Sequence, residues 1–380
     1  MRALRGTLIT PFKTIENGQV EFDDKKIRYI GLSRSLNCRI DEYGDSLVTP
    51  GFIDIHIHGL GGFDAMDSEA NSIQKMSSHL VQRGVTGFLP TLQTAPHDEL
   101  LDALDRAVKA AKTESIGAKV LGIHLEGPYL NREKIGAQRE YIREPTRHDL
   151  EEIIAATDHT LKIVTLAPEV KGGLNAVRLL IGHNILVSAG HTNASYLEAC
   201  QAFEAGVSQI THLWNGMRGI HQREPGIIGA GLTNENVMVE LIADCQHVHP
   251  LVLGLTVRLK GANKVALVSD SIKPAGLPDG DYIFEGRKYH LNDGLIKLSS
   301  GVIAGSSICL DDAIRNMVEK VGVKIPDAIQ MVTDTPAKAL GLQDKGRLEA
   351  GYDADIVVMD QSFRIHETII KGKTVYKTGE

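Results

Sequence analysis

Strand and helix patterns alternate from residue 50 to residue 270, and this alternation constrains the fold more than any other feature of the chain. Eight short apolar segments read as strands: Phe52–His58, Gly87–Thr91, Val120–Glu126, Lys162–Ala167, Ile185–Ala189, Ser208–His212, Val237–Ala243 and Lys264–Asp270. Helical patterns such as Asp98–Lys112 and Pro250–Lys260 lie between most of them. Eight β/α units in succession predict a closed (β/α)8 TIM barrel, an α/β fold. The alternative is an open doubly wound sheet, but no glycine-rich phosphate fingerprint follows the first strand.

Both ends of the chain read as short strands instead of β/α units. Residues 1–49 show strand patterns separated by turn signals such as Asn17-Gly18, and the tail returns to strands at Asp355–Met359 and Thr374–Tyr376. Strand-rich termini that flank a barrel are expected to pair with each other. The sequence therefore predicts a barrel over residues 50–342 and a small β-sandwich domain built from residues 1–49 and 343–380.

Charge and composition exclude several classes of partner. The 380 residues include 41 basic and 48 acidic side chains, for a net charge of −7, which favours neither nucleic acid nor an anionic membrane surface. The chain has no long apolar run, and its start, MRALRGTLITPF, lacks the apolar segment of a signal peptide. The four cysteines are scattered, which favours reduced thiols and a cytoplasmic location.

The first predicted strand lies in PGFIDIHIHGLGG and carries two histidines at a spacing of two residues. Because side chains on a strand alternate between faces, His56 and His58 share one face, and the glycines beyond them leave the strand end open. Two imidazoles in this arrangement can bind a divalent metal. An isolated H-x-H is more simply a half-buried strand with polar residues facing water, so the interpretation depends on ligands elsewhere.

Polar residues near the ends of later predicted strands supply such ligands. In a barrel of this kind the active site lies at the carboxyl ends of the strands, where Glu126, His191, His212 and Asp270 are expected. Together with His56 and His58 they make four histidines and two carboxylates, which is enough for two metal positions that share one ligand. Each residue alone has a structural alternative, such as a helix cap or an exposed loop residue. Their common position favours a site.

A set of motifs resembles the N-acetylglucosamine-6-phosphate deacetylases of the amidohydrolase superfamily. The motifs are PGFIDIHIHG, HLEGPYL, AGHTNA, THLWNGM, QREPGIIG, ELIADCQHV, LVSD, AGSS and KGRLEAGYDADIVVMD, and they span nearly the whole chain. The resemblance implies a metal-dependent barrel with a terminal β-sandwich. It also implies hydrolysis of the acetamide of N-acetyl-D-glucosamine 6-phosphate to D-glucosamine 6-phosphate and acetate.

The resemblance further implies roles for individual residues. Glu126, His191 and His212 match metal ligands, and His56 and His58 can hold a second metal with Glu126 bridging, so we expect one or two divalent cations, Zn²⁺ or Fe²⁺. Asp270 matches the catalytic acid/base, near enough to touch metal. The substrate positions implied are Ala137, Gln138, Asn215, Gly216, Arg223, His247, Ala304, Gly305 and Ser306. A homodimer is implied in which His247 reaches the neighbouring active site. Gln138 stands where some relatives have histidine, and glutamine cannot become a cation.

The chemistry of these residue types is consistent with amide hydrolysis. A bound metal can lower the pKa of its water to about 7 and polarise a carbonyl. Asp270 would take the proton of this nucleophile and return it to the departing amine. Arg223 offers a fork of donors for a phosphate, the alternative being a surface ion pair with Glu224.

Two other functions compete with the deacetylase. Another amidohydrolase, such as a cyclic amidase or a nucleobase deaminase, commonly needs a carboxylated lysine at the end of strand four or a glutamate soon after the strand-five histidine. Strand four ends in Leu166-Ala167 and Thr192-Asn193 follows His191, so neither feature is present. A non-catalytic sugar-phosphate-binding protein would not need Asp270 as a base.

Overall fold

The structure, a computed structural model, describes residues 1–11, 13–35, 38–114, 116–284 and 286–379. The strands are, in chain order, β1 (Arg2–Ile9), β2 (Thr14–Phe22), β3 (Ile27–Leu32), β4 (Arg39–Pro50), β5 (Phe52–Ile57), β6 (Gly59–Leu60), β7 (Phe63–Asp64), β8 (Val85–Leu92), β9 (Lys119–Val120), β10 (Ile123–Glu126), β11 (Leu161–Leu166), β12 (Leu186–Ala189), β13 (Gln209–Ile210), β14 (Met238–Ile242), β15 (Val265–Val268), β16 (Gly280–Phe284), β17 (Arg287–Asn292), β18 (Leu295–Leu298), β19 (Ile356–Met359), β20 (Ile365–Ile370) and β21 (Lys373–Lys377). The α-helices are α1 (Ser72–Leu80), α2 (His97–Lys112), α3 (Arg147–Ala156), α4 (Gly173–Gly182), α5 (Tyr196–Ala205), α6 (Gly226–Thr233), α7 (Pro250–Lys260), α8 (Leu310–Asn316), α9 (Ile325–Val332) and α10 (Asp334–Ala339).

The predicted (β/α)8 barrel is confirmed. Its strands follow the order β5, β8, β10, β11, β12, β13, β14, β15, and β9 also pairs with β8. The two edges meet at the carboxyl ends of β5 and β15. There the backbone N–H of Asp270 donates to the carbonyl of His56 over 2.9 Å, and the N–H of His58 donates to the carbonyl of Ser271 over 2.9 Å. The barrel is thus joined at the end where the predicted ligands lie.

The helices pack against the barrel through apolar stripes at helical spacing. In α2 the buried residues include Leu100, Ala103, Leu104 and Ala107, whereas Asp102, Asp105, Lys109 and Lys112 are exposed. Acidic residues lie in the first turn of α2 and lysines in the last, which complements the helix dipole. No helix in the described part of the chain is both long enough and apolar enough to cross a membrane.

The two termini form one seven-stranded sheet, as the strand-rich ends predicted. Its order is β21-β20-β19-β4-β1-β2-β3, so the tail strand β19 pairs with β4 just before the barrel begins. One cluster of buried residues, including Leu4, Phe22 and Ile356, gives this sheet a core of its own. The turn predicted at Asn17-Gly18 is wrong: both residues lie inside β2, where a register shift and the left-handed Asn17 (φ 50°) absorb the extra residue.

A third, three-stranded antiparallel sheet follows the barrel and consists of β16, β17 and β18. Short strand patterns in the sequence at Tyr282–Phe284, Lys288–Leu291 and Leu295–Leu298 predict these three strands. The helical pattern of the sequence over Pro326–Leu340 predicts one helix, but the structure has two helices here, α9 and α10, which meet at Thr333. Thr333 has φ −131° and ψ −82°, which interrupts the helical backbone.

Candidate active site

The predicted metal ligands converge at the carboxyl end of the barrel. Glu126 ends β10, and His58 follows β5. His191, His212 and Asp270 lie just beyond the strands that precede them, with φ values of 47°, 29° and 47°. Residues other than glycine rarely adopt this left-handed backbone, and such residues cluster at functional sites. The chain therefore turns sharply at each strand end, at the residue that carries the functional side chain.

Glu126 lies between two pairs of histidines. Its Oε1 is 2.9 Å from the Nε2 of His191 and 3.0 Å from the Nε2 of His212. Its Oε2 is 3.1 Å from the Nε2 of His58 and 3.7 Å from the Nε2 of His56. The carboxylate is 1% exposed, so each of its oxygens serves a different pair in a dry environment. This geometry suits a bridging ligand.

Asp270 faces the first of these pairs. Its Oδ1 is 3.4 Å from the Nε2 of His58 and 3.5 Å from the Nε2 of His56. Burial alone would raise the pKa of Asp270, but the two imidazoles outweigh it and lower that pKa to about 2. Burial likewise opposes ionisation of Glu126, and the surrounding histidines hold its pKa well below the usual range. Both carboxylates are therefore anionic.

Three of the four imidazoles are oriented through their second nitrogen. The Nδ1 atoms bond to protein oxygens: His191 to the carbonyl of Lys134 (2.8 Å), His58 to the carbonyl of Thr91 (2.9 Å) and His56 to Oε2 of Glu240 (2.9 Å). Because those oxygens accept the Nδ1 proton, each ring, when it is neutral, presents an unprotonated Nε2 to the centre. Metal-binding histidines are held in this way.

The donor set fits a divalent metal. His56, His58 and Glu126 place one ligand atom each within 4.8 Å of one another, and so do Glu126, His191 and His212. Nitrogen and carboxylate donors of this kind suit zinc or iron. Burial lowers the pKa of His58, yet Asp270 and Glu126 outweigh it and raise that pKa to about 10. The cluster thus favours positive charge.

His124 lies two residues before Glu126 in β10 and is fully buried. Its Nδ1 is 2.9 Å from the carbonyl of Ile55 and its Nε2 is 2.8 Å from Oγ1 of Thr165, so both ring nitrogens are engaged. Burial lowers the pKa of His124 to about 4, which keeps the ring neutral. It therefore packs beneath the cluster without a free nitrogen for a metal.

A cavity of about 340 Å³ opens onto this cluster. The predicted site residues that line it are His58, Glu126, Ala137, Gln138, His191, His212, Asn215, Gly216, His247, Asp270, Ala304 and Gly305. The Gln138 amide donates to Oε2 of Glu126, and its carbonyl accepts the backbone N–H of Thr94 over 3.0 Å. Glutamine at this position thus contacts the central carboxylate directly.

Three predicted site residues are not among those that line the cavity: Arg223, Ser306 and His56. Arg223 is exposed, in the loop that precedes α6. Ser306 is buried behind the wall, where its N–H donates to the carbonyl of Asp270 over 2.8 Å. His56 is fully buried beneath the cavity. His247 lines the cavity of its own chain, and its Nδ1 lies 2.6 Å from Oδ2 of Asp244.

The cavity wall also contains residues that the sequence analysis missed. Lys273, Phe284, Arg287 and Tyr289 come from the segment around the three-stranded sheet. Lys273 pairs with Asp67 and lies 5.0 Å from the centre of the Phe284 ring. Arg287 donates from Nη2 to the carbonyl of Ala137 over 2.6 Å. The strand pattern here was visible, but no motif indicated that it borders the site.

Comparison with known proteins places this chemistry in a family. The sequence profile described as the Amidohydrolase family matches residues 47–375. The chain belongs to this family. It is therefore a hydrolase of a metal-dependent family, and the two ligand sets around Glu126 are where it could hold the metal.

Individual relatives of this amidohydrolase are similar over most of its length. It is 37% identical over 375 residues to an N-acetylgalactosamine-6-phosphate deacetylase of Escherichia coli O157:H7, covering 98% of both chains. It is 39% identical over 329 residues to an N-acetylglucosamine-6-phosphate deacetylase of Vibrio furnissii, covering 86% of this chain and 82% of the relative. The structure of an Asp-to-Ala mutant of N-acetyl-D-glucosamine-6-phosphate deacetylase from Mycobacterium smegmatis, in complex with N-acetyl-D-glucosamine-6-phosphate, superposes with a TM-score of 0.94 at 28% identity, covering 99% of both chains.

Proposed function

We propose that this amidohydrolase hydrolyses the acetamide of N-acetyl-D-glucosamine 6-phosphate to D-glucosamine 6-phosphate and acetate. The observation that carries the proposal is the pairing of His191 with His212 and of His56 with His58 around Glu126, beside Asp270, at the base of one cavity. The relatives similar over most of the chain carry deacetylase names for amino-sugar 6-phosphates.

The ligand geometry supports one or two divalent cations, Zn²⁺ or Fe²⁺. Glu126, His191 and His212 would hold the first, and His56 and His58 would hold a second with Glu126 shared between them. When bound, such a cation polarises the acetyl oxygen and lowers the pKa of a water to about 7. The hydrogen bonds at the Nδ1 atoms hold the rings ready for this role.

Asp270 is the proposed general base and acid. Its carboxylate is anionic and lies at the floor of the cavity, so it can accept the proton of the attacking water. Water adds its oxygen to the acetyl carbon, the bond from that carbon to nitrogen breaks, and Asp270 returns the proton to the departing amine. One residue thus serves both proton transfers.

The cavity wall supports an anionic sugar as the substrate. Asn215, Gly216 and His247 line it, and Gln138 offers an amide near the central carboxylate. Arg287 has no carboxylate partner among the described residues, and its remaining guanidinium donors are suited to a phosphate. The proposed substrate supplies that charge at one end and the acetamide at the other.

The galactosamine epimer is a second candidate substrate. The Escherichia coli relative at 37% identity over 98% of this chain is named for N-acetylgalactosamine 6-phosphate. The two sugars share the acetamide and the phosphate and differ in the configuration of one hydroxyl group. Only side chains on the cavity wall that contact this hydroxyl can distinguish them.

Acetate release by the purified enzyme tests the proposal. N-acetylglucosamine 6-phosphate, its galactosamine epimer and unphosphorylated N-acetylglucosamine are compared at equal concentrations. We expect the first to be the best substrate and the unphosphorylated sugar to be much poorer. Preference for the epimer would transfer the assignment to the second candidate. No acetate release from any of them, with metal supplied, would refute a deacetylase.

A homodimer is the proposed assembly. On α7, Leu251, Leu255 and Leu259 are 74%, 47% and 56% exposed and recur every fourth residue, which forms one apolar stripe. This helix follows the loop of His247, so a second copy seated here would adjoin the site. Sedimentation analysis should show a dimer that Leu255→Asp weakens, while Leu32→Asp, a matched change at a residue 69% exposed on the terminal sheet, leaves it intact. A monomeric parent protein would refute the assembly.

The cytoplasm is the proposed compartment. Cys38, Cys200, Cys245 and Cys309 are all free thiols, which fits a reducing environment. Retention of activity in the presence of reductant, with loss on thiol oxidation, would agree with this location. Dependence of activity on an oxidised cysteine pair would contradict it.

A further inference from the structure

Glu240 is a fully buried acid with no place in the proposed ligand set. It lies in β14, the seventh position of the barrel, and its side chain is 0% exposed. A buried carboxylate is costly unless several donors satisfy it, so its retention in a strand of otherwise apolar residues requires a physical reason.

The contacts of Glu240 join the two proposed metal positions. Its Oε2 accepts the Nδ1 proton of His56 over 2.9 Å and the backbone N–H of His212 over 3.2 Å. Its Oε1 accepts a hydrogen bond from the side-chain amide of Gln209. One carboxylate oxygen therefore contacts one residue from each metal position.

We infer that Glu240 is a positioning residue that orients His56 for the second metal. A carboxylate that accepts the Nδ1 proton fixes the tautomer and the ring angle, and it makes the opposite nitrogen a better donor. That nitrogen, Nε2 of His56, lies 3.3 Å from Nε2 of His58 and 3.7 Å from Glu126. The inference rests on the proposed metal centre and is independent of the substrate.

His56 differs from the other oriented histidines in a way that makes this role testable. His58 and His191 bond through Nδ1 to backbone carbonyls, which no side-chain substitution removes. His56 alone of these three depends on a side chain. The second metal position is thus sensitive to a single residue that does not itself bind metal.

Titration of the apoprotein with Co²⁺ or Zn²⁺, monitored by isothermal titration calorimetry, tests the inference without any substrate. The parent should bind two equivalents. In Glu240→Gln the affinity for the second metal equivalent should fall by about ten- to a hundred-fold, the usual effect of removing such a partner. The affinity for the first equivalent should change far less. Glu367→Gln is the matched control, because Glu367 is also fully buried but lies in the terminal sheet, bonded to Arg2. It should keep both equivalents.

A double-mutant cycle with His56→Asn separates positioning from a general structural effect. If Glu240 acts through His56, adding Glu240→Gln to His56→Asn should leave metal binding unchanged. Glu240→Asp keeps the charge but shortens the side chain, so it should also lower the affinity for the second metal equivalent. This variant replaces Glu240→Gln in the test if Glu240→Gln does not fold.

Three results would overturn the inference. The parent could bind only one metal equivalent, or the folded Glu240 variants could bind the second equivalent as tightly as the parent. Glu240→Gln could also weaken metal binding equally in the parent and in His56→Asn. Acetate release is a separate readout. Two equivalents in a protein that releases no acetate would refute the deacetylase and leave the role of Glu240 standing. Acetate release by a protein that shows one of these three titration results would support the deacetylase and refute the role of Glu240.

Discussion

Replacement of Asp270 by asparagine isolates the proposed proton transfer from the fold. Asp270 has φ 47°, and asparagine is one of the few residues that tolerate this left-handed backbone. The backbone of residue 270 donates to the carbonyl of His56 and accepts from the N–H of Ser306, and both bonds are independent of the side chain. The substitution therefore removes a proton acceptor while the surrounding structure persists.

The expected loss in turnover follows from the role of a general base. Such a group contributes about 10²–10⁴ in rate, which corresponds to about 2.7–5.5 kcal/mol in the activation free energy. The KM should change little, because the residues proposed to contact the sugar phosphate, such as Asn215 and Arg287, lie on other parts of the wall. Loss of the Asp270 charge, which lies 3.4 Å from Nε2 of His58, should also weaken the binding of a second metal.

The assay is steady-state acetate release with metal content measured on the same samples. Asp270→Ala is the control, because it removes the same carboxylate but leaves alanine in a left-handed backbone at a cost of about 1–2 kcal/mol in the free energy of unfolding. Both variants should lose turnover, and only Asp270→Ala should also unfold more easily. A kcat for Asp270→Asn within about threefold of the parent, with metal retained, would refute the assignment.

Three further predictions concern the same cavity. His191→Asn should remove the first metal and activity together, and metal analysis that finds full occupancy would contradict the ligand assignment. Gly216→Ala should weaken metal binding and lower the Tm, because φ is 60° and a new Cβ would lie 2.9 Å from the Nδ1 of His191; unchanged metal affinity would contradict this packing. Arg287→Met should raise the KM for the phosphorylated sugar by about ten- to a hundred-fold, the equivalent of one charge-assisted bond, with kcat little changed; an equal effect on an unphosphorylated substrate would argue against a phosphate contact.

The site was predictable from sequence where one topological rule applied. Residues at the carboxyl ends of barrel strands converge, so His58, Glu126 and His191 could be gathered without knowing any distance. Some predicted strands were too long: the strand predicted over Ser208–His212 spans only Gln209–Ile210 in the structure. The left-handed turns that follow the strands aim the histidines inward, and these depend on tertiary packing.

The residues whose surroundings sequence reasoning did not give depend on loop paths and on isolated contacts. Arg223 carries a suitable guanidinium, but the direction of its loop is set by packing that no local pattern reveals. Arg287 lies on a sheet inserted after the barrel, far along the chain from the loop of Ala137 that it contacts. Glu240 is a single acid in an apolar strand, and only its distance to His56 assigns it a role.

The most direct test of the central claim is a metal titration that monitors acetate release from N-acetylglucosamine 6-phosphate. The protein is stripped of metal with a chelator, and Zn²⁺ or Fe²⁺ is then added back in steps. If Glu126, His191 and His212 hold the catalytic metal, the stripped protein should be inactive, and activity should return with the first equivalent and be absent in His191→Asn. Full activity in the stripped protein, or none in the fully loaded one, would contradict a metal-dependent deacetylase.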